Sequence, residues 1–244
     1  MNTAEHSRRG CFLRTRAGIV CFILLVTAVA AVVPMLLPGA VGGFGSMGLM
    51  LLLIFGGLAF KGSGPAEIGL GRPASWARTL GLALVYSLVA FVVFRLTLEG
   101  VFERLTGTER DLSRFAALEG DLPALLIELP IIWVAAAFFE EVYYRGFLIT
   151  QIAALFGAQA PARQSALGLW VGTLVSAVLF AAVHGYQSLS GVLLTGVGAL
   201  FFTWIFLRHG RNLWIPMLVH GIHDSSAMAF FYLGIYDRVT GLLF

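Results

Sequence analysis

Charge is what this 244-residue chain has least of. Only 12% of its residues are Asp, Glu, Lys or Arg, where an ordinary soluble domain carries about 25%. With 59% apolar residues and a mean hydropathy of +0.89, the chain is too apolar for a water-exposed globule. The formal net charge is only +3, and no basic cluster interleaves with aromatics on a polar surface. A nucleic-acid partner is therefore excluded. Cysteine is scarce as well. Cys11 stands in a basic tail and Cys21 in an apolar run, and both read as free thiols without a role. Polar stretches are short, and no soluble domain fits between the apolar runs. The longest polar link, Glu99 to Asp121, has room for one short surface helix. The apolar runs do not alternate with polar residues, so a strand barrel is excluded too.

What remains is a series of apolar runs of about 20 residues, the length that crosses a bilayer core of about 30 Å. Seven spans are expected, near residues 17–37, 41–60, 79–98, 123–149, 166–185, 189–207 and 213–234. The fold class is an all-α, polytopic transmembrane helical bundle. Arg8, Arg9, Arg14 and Arg16 precede the first run, which is longer than the roughly 7–15-residue core of a signal peptide and is expected to stay as a helix. Basic residues recur on alternate links (Lys61, Arg72 and Arg78, then Arg163, then Arg208 and Arg211). By the positive-inside rule the N-terminus is expected in the cytoplasm. The spans at 41–60 and 189–207 are rich in small residues, which let helices approach closely in lipid. The expected organisation is a basic cytoplasmic tail at 1–16, scaffold helices at 17–119, a functional membrane core at 120–234 and a short tail at 235–244.

An ionisable side chain at the centre of a bilayer costs about 2.5–3.5 kcal/mol on the insertion scale, so such residues mark function. The first three spans are read as carrying almost none. The second half concentrates them: Glu128, Glu140, Glu141 and Arg145 on the fourth span, His184 on the fifth, and His220, His223 and Asp224 on the seventh. On an α-helix Glu140 and Glu141 lie about 100° apart and cannot both point at one spot. Glu141 and Arg145 have the i,i+4 spacing of a helical ion pair. Glu140 has no such partner on its helix, and an unpaired buried carboxyl suits a general base. Phe180 and His184 share a face, as do His220 and Asp224. The latter pair suits a metal, a water or a carbonyl oxygen equally. His223 falls on another face and reads as a packing residue.

Glu140-Glu141-x-x-x-Arg145, Phe180-x-x-x-His184 and His220-x-x-x-Asp224, in that order and each on an expected span, resemble the motifs of the CAAX-protease and bacteriocin-processing (CPBP, or Abi) intramembrane proteases. The resemblance covers about residues 120–228. It implies an intramembrane endopeptidase in which Glu140 and His184 activate water, and His220 and Asp224 stabilise an oxyanion or bind a metal. Glu141, Arg145 and Phe180 would support them. Where the family often has Asn, this chain has Asp224, which must be protonated or sit on a cation so as not to repel an oxyanion. The implied cofactor is either none or zinc held by His184, His220 and Asp224. Expected partners are membrane lipid and a peptide or membrane-protein substrate. Usage rich in Ala, Gly and Arg looks bacterial. That points to a bacterial plasma membrane and argues against a prenylated substrate. Intramembrane Glu, His and Asp are also the parts of a proton-coupled transporter, and a non-catalytic membrane immunity or partner protein is the third reading.

Overall fold

A computed structural model describes residues 12–37, 39–157 and 165–244. Cys11, Arg8, Arg9, Pro38 and Arg163 lie outside the described residues. The described residues form helices and turns and no strands. Six helices are long and apolar enough to cross a membrane: α1 (Arg16–Leu36), α2 (Gly39–Phe60), α3 (Trp76–Thr106), α4 (Leu122–Leu155), α5 (Ala166–Val183) and a sixth span, Gly185–Arg208. The last is a short 3-10 turn followed by α6 (Ser188–Arg208). The seventh expected span is also a helix, α7 (Trp214–Tyr232, 19 residues). It does not count among the six because His220, His223, Asp224, Ser225 and Ser226 interrupt its apolar run. A short helix, α8 (Tyr236–Thr240), follows. The chain is thus a multi-pass integral membrane protein.

The helices start where their caps dictate. Thr15, Ser75 and Asp121 each accept a hydrogen bond from the backbone N–H three residues on, at the N-termini of α1, α3 and α4. Two of the long helices are not α-helical throughout. Residues Phe91–Leu98 of α3 and Ile132–Leu148 of α4 wind as π-helix. In α4 this winding begins two residues after Pro130. Proline has no N–H to give its own rung and crowds the carbonyl four residues back, so the α ladder breaks there. In α3 the Thr97 hydroxyl donates to the Val92 carbonyl five residues earlier, 3.0 Å away.

The chain divides into two compact units. One comprises Met1–Arg72 and Val142–Leu174. Within it α1 and α2 pack side by side, and small residues allow the close approach. A Cβ on Gly57 would stand 2.3 Å from the Phe22 ring. Phe22 meets Phe147 edge-on at 5.1 Å, and Thr27 Oγ1 and Tyr143 Oη share a hydrogen bond of 2.8 Å. Gly168 lies against the Ala153 backbone, where an added Cβ would come within 2.8 Å of the carbonyl oxygen and 2.9 Å of Phe156 Cβ. Gly168→Val will therefore destabilise this unit by about 1–3 kcal/mol through overpacking. The check is thermal unfolding in detergent, and a midpoint equal to wild type would refute the contact.

The other unit comprises Pro73–Glu141 and Val175–Phe244. Ala83, Ala90 and Phe94 of α3, Leu194, Phe202 and Ile205 of α6, and Ile215 and Val219 of α7 form one of its buried apolar clusters. Leu118, Leu125, Ile132, Ala227, Met228 and Tyr236 form a second. Every residue of the sequence motifs except Arg145 belongs to this unit.

Candidate active site

Gly221 brings α4 and α7 together. A Cβ there would stand 2.6 Å from the Trp133 ring, so only glycine lets that indole lie against the helix beside His220. Two turns along α4 from Trp133, Glu140 and Glu141 then reach the imidazole. Nδ1–H of His220 donates to Glu141 Oε1 at 2.9 Å, and Nε2 stands 3.9 Å from Glu140 Oε2. The same Nε2 lies 3.3 Å from Asp224 Oδ2, one turn further on α7. Phe202 of α6 stacks on the ring at 4.9 Å and 18°, and Phe180 of α5 meets it edge-on at 6.3 Å. The imidazole is thus clamped in plane by carboxylates and held flat by an aromatic face.

The expectation that two adjacent glutamates cannot serve one spot is corrected here. It assumed an α-helix, whereas this stretch is π-helical and turns less per residue, so neighbours diverge less. The imidazole also offers two nitrogens, and each carboxylate takes its own. The two acids differ in access. The Glu141 side chain is 0% exposed, that of Glu140 18% and that of Asp224 30%.

His184 sits just beyond the end of α5, where the chain turns into Gly185–Gln187. Its Nδ1 lies 2.7 Å from the Phe180 carbonyl oxygen. A carbonyl only accepts, so Nδ1 carries the proton and Nε2 is left as the acceptor. The Phe180 ring stacks obliquely on the imidazole at 4.6 Å. Phe180 therefore touches both histidines. Among the described residues no three His, Cys, Asp or Glu side chains are grouped so as to hold a metal ion.

A second polar cluster went unread in the sequence. The reading that the first three spans carry almost no ionisable residues is corrected by α3, where Arg95 and Glu99 are both buried. Arg95 donates to Glu99 Oε2 at 3.3 Å and to the Tyr236 hydroxyl, and its Nη2 lies 3.4 Å from His223 Nε2. Tyr236 donates in turn to Glu99 Oε1 at 2.8 Å. Burial holds the Tyr236 phenol above its ordinary range, so it stays an O–H donor. Arg110 stands 3.6 Å from Glu99 and forks onto Gln187 Oε1 at 2.9 and 2.7 Å. His223, read as a packing residue, is therefore part of a polar network. The signal was present: an arginine inside an apolar run is itself a marker. Hydropathy alone places Glu99 at the start of a link, but the helix continues to Thr106.

Residues 122–226 match the family model described as Rce1-like, type II CAAX prenyl endopeptidase Rce1-like. No curated protein and no solved structure matches the chain. The matched segment begins at the first residue of α4 and ends two residues past Asp224, so it contains all three motifs and leaves Arg95, Glu99 and Arg110 outside. Over this segment, which carries all three motifs, the chain is similar to the CAAX-protease family.

Proposed function

We propose that this chain is an intramembrane endopeptidase that hydrolyses a peptide bond of a membrane-associated substrate with water activated at Glu140. The observation that carries this reading is His220, held on both ring nitrogens by carboxylates from two helices. Glu141 is sealed from solvent and orients the imidazole, as the third member of a triad orients its base. Glu140 keeps access and takes a proton from water. His184, its Nδ1–H committed to Phe180, offers Nε2 to the same water. The water oxygen attacks the carbonyl carbon, and His220 Nε2–H donates to the oxyanion that develops. Asp224 faces the imidazole, a cation when protonated, which answers the problem of an acid standing where the family often has Asn. As the tetrahedral intermediate collapses, Glu140 returns its proton to the leaving nitrogen. The C–N bond breaks, a carboxyl and an amine are released, and the glutamate is again ionised.

The matching family's description names a prenylated CAAX substrate, so the first probe is a peptide ending in S-farnesyl-cysteine and three further residues. Its unprenylated counterpart is the second. Purified protein in lipid nanodiscs will release the C-terminal fragment of at least one, read by mass spectrometry. Pretreatment with a strong chelator will leave the rate unchanged, the result expected of a water activated by Glu140 and His184 alone. Intact peptides in both assays would refute the peptidase reading. Activity lost to chelator and restored by zinc would refute the metal-free mechanism.

A further inference from the structure

The buried network on α3 has a shape that suggests its use. Glu99 is its hub, receiving Tyr236, Arg95 and Arg110 on one carboxylate. Two arms leave the hub. One runs through Arg95 to His223, the residue before Asp224. The other runs through Arg110 to Gln187, whose backbone N–H donates to the His184 carbonyl at 2.9 Å. The second arm is reinforced where it meets the turn. Asp111 N–H donates to the Gln187 carbonyl at 3.2 Å, and the Ser188 hydroxyl donates to the Glu109 carbonyl at 2.7 Å. The arms thus end on the two segments that present His184 and Asp224, segments far apart in sequence and carried by different helices.

Burying the Arg95 guanidinium and the Glu99 carboxylate in a membrane protein, with Arg110 half-buried beside them, is expensive, and an apolar core would serve packing as well or better. Their value lies in direction, because an Arg fork fixes both distance and orientation where apolar contacts slide. We infer that Glu99 is a positioning residue which, through Arg95 and Arg110, holds the His184 turn and the His223–Asp224 segment in one register for catalysis. This rests on the endopeptidase reading of the site. The hub lies outside the segment that matches the family, so it is a device of this chain's third helix.

The test uses the full chain in nanodiscs, with Glu99→Gln, which keeps the shape and removes the charge, and Glu99→Asp, which keeps the charge on a shorter arm. The probes are the farnesylated and unprenylated peptides. Glu99→Gln will lower kcat per folded molecule by about 10–100-fold, the scale of a sub-ångström to ångström misplacement, with KM within about twofold of wild type. Glu99→Asp will recover part of kcat. Independently of activity, amide hydrogen exchange will rise in Glu99→Gln at both 185–188 and 221–226 while the middle of α6 stays protected. Unchanged kcat and unchanged exchange at both segments would overturn the inference, as would a loss confined to KM. If wild type cleaves neither peptide, the endopeptidase reading fails on its own, and the exchange data still decide whether Glu99 couples the two segments.

Discussion

Glu140→Gln will reduce kcat for peptide hydrolysis by about 10²–10⁴-fold, the range that a positioned general base supplies. Stability will hardly change. The amide has the volume of the carboxylate and keeps a hydrogen-bonding oxygen, so the packing around it is retained. KM will stay near wild type, because the proton transfer exists only in the transition state. Single-turnover kinetics with saturating peptide and a thermal melt on the same preparation check both halves. A variant that cleaves at the wild-type rate would remove Glu140 from the mechanism. One that melts early would make it a structural residue instead.

Glu141→Ala will fail differently, by losing stability and activity together. It strands the buried Nδ1–H of His220, which donates to Glu141 at 2.9 Å. Leaving such a donor unsatisfied costs about 1–3 kcal/mol. The imidazole also loses the group that sets its tautomer and tilt, so kcat will fall by about 10²-fold or more, as when the orienting member of a triad is removed. Melting midpoint and kcat are to be measured side by side for the two variants. Adjacent residues of like charge would thus separate cleanly, one lowering rate alone and the other lowering both. Equal behaviour of the pair would contradict the division of labour drawn from their burial.

Much of this was legible in the sequence, for physical reasons. Lipid leaves little room for polar groups, so the spans stand out by length and apolarity, and the exceptions Glu140, Glu141, His184, His220 and Asp224 stand out against them. What the sequence hid was winding and continuation. The α4 helix reads as apolar 3.6-residue helix, and nothing short of its backbone reveals a π stretch that lets Glu140 and Glu141 share one imidazole. Glu99 sits where apolarity fades, and hydropathy ends the span there although the helix runs on to Thr106. Arg95 was masked by its neighbours in Phe91–Leu98. The α7 helix shows the reverse effect, since its site residues dilute the apolar signal that identifies its neighbours.

The π winding of Ile132–Leu148 also bears on how such a chain can change over generations. Along most of a lipid-facing helix, replacing one apolar residue by another is harmless, and adding or removing one merely slides the surface. Between Pro130 and Glu140 the rules differ. Dropping a single residue there would rewind the segment and swing both acids around the axis, away from the imidazole that needs one on each side. A lineage could therefore drift at the lipid-facing positions of this stretch, such as Val134, while its length stayed frozen. Spelling is negotiable there, and counting is not.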